Sequence, residues 1–82
     1  MKYSTKYSDA IHILAYIHLF KGTDLSSDRI AQSVETNPAY VRRIMSDLRI
    51  AGLIESQRGK PNPKLTKEPN EISLLDIYAS VE

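Results

Sequence analysis

Basic side chains are concentrated in the middle of the sequence. Residues 39–67 contain seven basic and two acidic side chains, whereas residues 68–82 contain four acidic side chains and no basic one. The formal net charge of +1 over 82 residues therefore conceals a strongly basic segment. Such a local excess of Lys and Arg is typical of a surface that binds polyanions, including nucleic acids.

Two adjacent arginines, Arg42 and Arg43, carry the most specific chemistry in this segment. A guanidinium can donate two parallel hydrogen bonds to a guanine edge, a contact worth ~1–3 kcal/mol of discrimination. At helical spacing Arg43 lies opposite the apolar stripe, together with the small residues Ala39 and Ser46, which permit close approach to a flat surface. Arg42, on the flank, could read a base or hold a phosphate. Tyr40, at the border of the stripe, could bind a phosphate through its hydroxyl or pack its ring against the core.

A second group of basic residues lies in and next to the turn RGKPNP. An arginine at the tip of a hairpin, here Arg58, can enter a narrow minor groove, where the negative potential is concentrated. Lys60 and Lys64 add positive charge to the same turn. We therefore expect this turn to contact DNA beside the helix that carries Arg43.

Enzyme, metal and membrane chemistry are not indicated. The sequence has no cysteine, so it contains no disulfide, thiol nucleophile or cysteine-type zinc site. His12 and His18 are six residues apart and do not share a helix face, as an i, i+4 metal pair would. No glycine-rich phosphate loop or recognisable catalytic set is present. The apolar stretch 11–20 is too short to span a bilayer. We expect a cytoplasmic protein with no membrane partner, no enzymatic activity and no cofactor.

Four helices and one hairpin must position these residues. Apolar spacing, capping residues and glycines predict helices over about 7–20, 27–34, 38–51 and 74–82, with a hairpin wing over about 53–66. Ser26, Asn37 and Ser73 are predicted N-caps, and Pro38 fits the first position of its helix. Because prolines limit regular pairing, we expect the hairpin to be loose and exposed.

This order of elements predicts a mainly α fold with a small β-hairpin wing, a winged helix-turn-helix, as a single domain over 1–82. The helices at about 27–34 and 38–51 form the helix-turn-helix unit, and the second of them is the recognition helix. The apolar residues of the last helix have two possible roles. Leu74, Ile77, Tyr78 and Val81 could all pack onto the first helix, or part of that face could meet a second chain.

Three segments resemble the Rrf2 (Rrf-two) family of bacterial winged helix-turn-helix transcription regulators: MKYSTKYSDAIHILAYI, TNPAYVRRIMSDLRIAGLIESQRG and EISLLDIYASVE. This family includes the iron–sulfur cluster regulator, the nitric-oxide-sensitive repressor and a cysteine-metabolism repressor. The resemblance covers nearly the whole chain. It implies a DNA-binding domain that acts as a homodimer on double-stranded DNA.

The resemblance also implies roles for particular residues. It makes Ala39, Tyr40, Arg42 and Arg43 the readers at the start of the recognition helix and Arg58 the wing arginine. Lys6 matches a basic residue that touches phosphate, and Ser26 and Ser27 stand where hydroxyls and helix amides can bind another. The full predicted DNA-binding set is Lys6, Ser26, Ser27, Ala39, Tyr40, Arg42, Arg43, Ser46, Arg58, Lys60 and Lys64.

The sequence departs from the family pattern in three ways. The family's wing is often glycine-rich, whereas here residues 59–64 read GKPNPK, a stiffer and more basic turn. Many members carry Glu-Gln in place of Arg42-Arg43, so the operator sequence cannot be transferred. The family's cluster-binding cysteines lie beyond residue 82. We therefore expect the DNA-binding part of such a regulator, with no cofactor in this chain.

Two hypotheses from different classes follow. The first is a sequence-specific DNA-binding transcription regulator, a repressor, with helix 38–51 in the major groove and the wing arginine in the minor groove. The second is a winged-helix protein–protein interaction module that uses the final helix and the surface around Ile50, because fold alone does not fix function. The basic wing favours the first hypothesis.

Overall fold

A computed structural model describes residues 5–56 and 62–82. It contains α1 (Thr5–Leu19), α2 (Ser27–Val34), α3 (Pro38–Ile50), β1 (Ile54–Ser56), β2 (Pro63–Leu65), a 3-10 helix (Pro69–Glu71) and α4 (Leu74–Val81). The two strands pair antiparallel, with Glu55 opposite Lys64. The predicted winged helix-turn-helix is confirmed in these ranges. The short 3-10 helix was not predicted.

Capping side chains fix where the helices of the binding unit begin. Ser26 accepts a hydrogen bond from the backbone N–H of Arg29 (3.3 Å), so α2 begins at Ser27, as predicted. Asn37 accepts one from the N–H of Tyr40 (2.9 Å), and Pro38 follows it as the first residue of α3. These bonds satisfy amides that a helix start leaves without partners.

The core lies between the helices and under the base of the hairpin. α1 contributes Ala10, Ile13, Leu14 and Ile17, and α3 contributes Val41, Ile44, Met45 and Leu48. Leu25, Ile30, Ala31, Leu53, Ile54, Ile77 and Val81 complete the buried cluster. The predicted stripe of α3 is therefore its buried face, and the opposite face of the same helix is left to solvent.

The base of the hairpin is firmly attached, so the prediction of a loose, exposed hairpin is wrong there. Leu53, Ile54 and Pro63 are buried. The Asn62 amide accepts from the Leu25 N–H (3.0 Å) and donates to the Thr23 carbonyl (2.9 Å). Each strand has three residues in the described ranges, and these side-chain bonds and buried residues hold the base in place.

The other end of β2 is tied to the exit of α3. The Thr66 hydroxyl donates to the Gly52 carbonyl (2.6 Å), and the Thr66 N–H donates to the Leu53 carbonyl (3.1 Å). Gly52 adopts φ 81°, the left-handed conformation that ends the helix and that glycine tolerates best. The hairpin is thus bonded to the helix-turn-helix before β2 begins and after it ends.

Helix α4 buries only two of the four apolar residues whose role the sequence left open. Ile77 and Val81 are buried, whereas the side chains of Leu74 and Tyr78 are 62% and 50% exposed. The four residues are therefore not all buried. Leu74 is seven residues before Val81 and lies on the same side of the helix, but it is the first residue of α4, whereas Tyr78 lies on the flank of that side. The Tyr78 ring still meets Tyr7 edge-on, with 5.6 Å between centroids.

Candidate nucleic-acid interface

Helix α3 presents a polar, cationic face outward. Ala39, Arg42, Arg43 and Ser46 are all exposed, as the sequence predicted. On the opposite side Val41, Ile44 and Leu48 are fully buried, which fixes the rotation of the helix about its axis. The outward face therefore cannot turn inward without exposing the core. This rigidity would suit a helix whose side chains must meet particular atoms of a partner.

Arg42 and Arg43 have no partner in the part of the chain that the structure describes. Neither side chain forms a hydrogen bond or an ion pair with residues 5–56 or 62–82. Arg49, on the same helix, does have a partner, because its Nη2 donates a hydrogen bond to the Ser56 hydroxyl (3.1 Å). Two adjacent guanidinium groups on the outer face are therefore available for an external acceptor.

Two lysines of the predicted set are held by carboxylates. Lys6 Nζ lies 3.0 Å from Asp47 Oδ2, so the first turn of α1 is joined to the recognition helix. Lys64 Nζ lies 3.3 Å from Glu55 Oε1, across the two strands of the wing. Lys6 therefore lies beside α3, whereas Lys64 lies on the wing. A phosphate that binds either ammonium would compete with the carboxylate already there.

Tyr40, at the border of α3, is partly buried against the core. Its ring packs against the buried cluster, and its hydroxyl donates to Asp9 Oδ2 (2.9 Å). Burial and the hydrogen bond to Asp9 raise the pKa of the Tyr40 hydroxyl to about 12. Of its two possible roles, packing is the one that the structure displays. A phosphate contact by this hydroxyl remains a prediction. To donate to a phosphate, the hydroxyl would have to give up its hydrogen bond to Asp9.

The start of α2 and the side of α3 enclose a shallow cavity of about 280 Å³. Its lining includes Ser26 and Ser27 from the start of α2 and Arg42 and Arg49 from α3. Free amides and the positive end of the helix dipole favour an anion at a helix N-terminus. Arg49 was absent from the predicted binding residues. Its spacing of seven from Arg42 places both on one side of the helix, and this signal could have identified it.

Two predicted DNA contacts, Arg58 and Lys60, lie outside the described residues, between β1 and β2. Their positions therefore stay predictions. The wing residue that the structure does describe, Lys64, is exposed and lies on β2.

Comparison with known proteins decides the family. The Rrf2 family model, described as an iron-dependent transcriptional regulator, matches residues 3–82. The chain belongs to the Rrf2 family. The resemblance noted in the sequence is thereby confirmed over nearly its full length. The family description as a regulator also supports the expectation that the chain is not an enzyme.

Relatives of this Rrf2 chain are bacterial regulators. It is 47% identical over 73 residues to the "Putative HTH-type transcriptional regulator YwnA" of Bacillus subtilis, which covers 89% of this chain and 53% of that protein. The structure of CymR, the global cysteine regulator of B. subtilis, matches with a TM-score of 0.81 and 30% identity, over 100% of this chain and 65% of that one. T. potens IscR matches with a TM-score of 0.82 and 28% identity, over 100% and 61%. The chain spans about half the length of the curated relatives it matches.

The residues of this Rrf2 chain do not fit an iron site. Its 82 residues include no cysteine. Among residues 5–56 and 62–82 no three His, Cys, Asp or Glu side chains are grouped so that they could hold a metal ion. Within the same ranges, no helix is long and apolar enough to cross a membrane.

Proposed function

We propose that this chain is the DNA-binding domain of an Rrf2-type transcription regulator and that it reads sequence through α3 in the major groove. One observation carries the proposal: the outward face of α3 holds two adjacent arginines with no partner among the described residues, beside the small residues Ala39 and Ser46. Arg43 would donate both guanidinium hydrogen bonds to a guanine O6 and N7. The small neighbours leave room for the base edges.

Backbone contacts would set the register of α3 in the groove. The start of α2, with Ser26 and Ser27, provides amides and hydroxyls beside Arg42 and Arg49, a suitable place for one phosphate. Lys6, which is paired with Asp47 of α3, and Lys64, which lies on β2, would each approach a further phosphate. The predicted minor-groove contact by Arg58 completes the interface.

The same proposal extends to assembly and regulation. We propose a homodimer that binds two half-sites about one helical turn apart, because a two-fold protein matches a palindromic site. Occupancy of a promoter by such a dimer would block polymerase, so we propose repression. The named regulators among the relatives support this class of function, and the cytoplasm is the compartment in which it would operate.

A second candidate function rests on exposed apolar side chains. Ile50, Leu74 and Leu75 are 83%, 62% and 74% exposed, and such residues can dock a protein. A pure protein-binding module has no need of the unpaired arginines. The two candidates differ in one measurable respect, because only the DNA-binding function requires Arg43.

The experiment that tests the proposal is equilibrium binding of the chain to a library of duplexes, followed by titration of the selected and a scrambled duplex across a salt series. We expect selective binding that weakens steeply with salt, since phosphate contacts release counterions. Arg43→Ala should lose most of the selectivity, about 5- to 150-fold, if one bidentate guanine contact is worth ~1–3 kcal/mol.

The matched control is Lys21→Ala, which removes one positive charge outside the predicted DNA-binding set, two residues beyond the end of α1. We expect this variant to keep the selectivity. If the chain, including a form fused to a dimerising partner, binds no duplex even at low salt, DNA binding is refuted and the protein-docking function takes its place. If Arg43→Ala and Lys21→Ala behave alike, Arg43 does not read the sequence.

A further inference from the structure

The basic segment contains only two acidic side chains, and both are used in the same way. Asp47 and Glu55 are the sole carboxylates among residues 39–67. Asp47 holds Lys6 at 3.0 Å, and Glu55 holds Lys64 at 3.3 Å. Both lysines belong to the proposed phosphate contacts. The two acidic residues of this segment are thus each paired with a cation that DNA of any sequence would attract.

Asp47 pairs with Lys6 although its own helix carries another possible partner. Arg43 lies four residues before Asp47, a spacing at which an arginine and a carboxylate on a helix can pair. In the structure the Asp47 carboxylate meets Lys6 instead, and Arg43 has no partner among the described residues. Among the described residues the proposed base-reading cation is thus unpaired, whereas Lys6 is paired with a carboxylate.

We propose that Asp47 and Glu55 limit the binding of this protein to DNA of arbitrary sequence. Each carboxylate takes one position at the Lys6 or Lys64 ammonium and offsets its charge, so a phosphate must compete with it. Non-specific binding consists almost entirely of such phosphate contacts, whereas specific binding adds base contacts such as that of Arg43. The carboxylates therefore raise the share of the binding free energy that depends on sequence. This inference rests on the DNA-binding function proposed above.

The salt dependence of binding gives the effect a magnitude. Each phosphate neutralised by a cation adds ~0.9 to the slope of log affinity against log salt. A lysine whose carboxylate is removed should therefore steepen that slope by up to ~0.9. A fourfold rise in salt, from roughly 50 to 200 mM, would then reduce the ratio of variant to wild-type affinity for DNA by roughly 3.5-fold. The ion pairs are partly exposed, with 32% and 30% of the side-chain surface of Lys6 and Asp47 accessible, so displacement is sterically feasible.

The test compares isosteric amides that keep shape and lose charge. Asp47→Asn and Glu55→Gln are titrated with a scrambled duplex over the salt series, and each is expected to bind it more tightly and with a steeper slope than the wild-type chain. The matched control is Glu35→Gln, because Glu35 is exposed and its side chain has no partner among the described residues. That variant also removes one negative charge, and we expect a smaller change in slope.

A double variant separates a local effect from a general one. Asp47→Asn is measured again in a Lys6→Met background, where the gain in affinity should disappear because no ammonium remains to be released. If the gain persists there, or if Glu35→Gln matches it, the carboxylates act only through net charge and the proposal is overturned. Unfolding curves of each variant exclude loss of fold. A loss of fold would weaken binding, the opposite of the expected direction.

The outcomes also separate this inference from the function on which it rests. If the wild-type chain selects a duplex but both amide variants keep its salt slope on scrambled DNA, DNA binding stands and the role of the two carboxylates is refuted. If neither wild-type nor variants bind any duplex, the proposed function itself fails.

Discussion

Asn62 should contribute more to stability than any other polar residue of the wing base. Its side-chain amide pairs with the segment before α2 as a strand would, accepting from the N–H of Leu25 and donating to the carbonyl of Thr23. The substitution Asn62→Ala removes both bonds together. Leu25 is only 2% exposed, so its N–H would have little access to water.

The two bonds contribute unequally. An unsatisfied donor in a partly buried place costs ~1–3 kcal/mol, whereas the exposed Thr23 carbonyl can bind water and loses ~0.5–1 kcal/mol at most. We therefore expect Asn62→Ala to lower the free energy of unfolding by about 2 kcal/mol. For a domain of this size, each kcal/mol corresponds to roughly 4–8 °C in Tm, so Tm should fall by roughly 8–16 °C.

Urea unfolding followed by far-UV circular dichroism measures this change, and amide exchange locates it. The Leu25 N–H should exchange much faster in the variant, while the N–H of Ile30 in α2 changes only with global stability. The control is Asn70→Ala, since the Asn70 side chain is exposed and has no partner among the described residues. A loss no greater than that of the control, or an unchanged Leu25 exchange rate, would show that the two bonds do not hold the wing.

Three further predictions concern the core, a cap and a titration. Ile44→Ala, at a fully buried position, should cost ~2–5 kcal/mol in urea unfolding, and a cost below that of an exposed Ala substitution would contradict the core described. Ser73→Ala removes the cap that accepts from the N–H of Asp76 and should cost ~1 kcal/mol, with lower helicity; an unchanged midpoint would refute the cap. The folded pKa of Tyr40, about 12, lies above its ordinary 10.0. Its contribution to stability is therefore complete below pH 10 and is lost between pH 10 and 12. Comparison with Tyr40→Phe isolates this loss, and identical pH profiles of the two proteins would refute it.

Local signals in the sequence predicted the helices well. Ser26, Asn37 and Ser73 mark helix starts because a cap bonds to an amide only two or three residues away. The buried stripe of α3 was likewise readable from its period. The outward position of Arg42 and Arg43 could also be predicted, because they lie on the side of the helix away from that buried stripe.

Contacts between distant segments could not be predicted. The bonds of Asn62 span 37 and 39 residues, and nothing near Asn62 identifies Thr23 or Leu25 as partners. Lys6 was expected to be free for phosphate, and its ion pair with Asp47 depends on how α1 crosses α3. Burial within α4 could not be predicted from period alone, because Leu74 shares a helix face with Ile77 and Val81 but is the first residue of the helix and stays exposed.

The two attachments of the hairpin have a consequence for the operator. Asn62 joins the start of β2 to the segment before α2, and Thr66 joins its end to the exit of α3. The base of the wing therefore has a fixed distance and angle relative to the recognition helix. One base pair inserted between the major-groove and minor-groove contact regions would move them apart by ~3.4 Å along the axis and rotate them by about a tenth of a turn. A protein with this frame should tolerate base changes between its two contact regions far better than changes in their spacing.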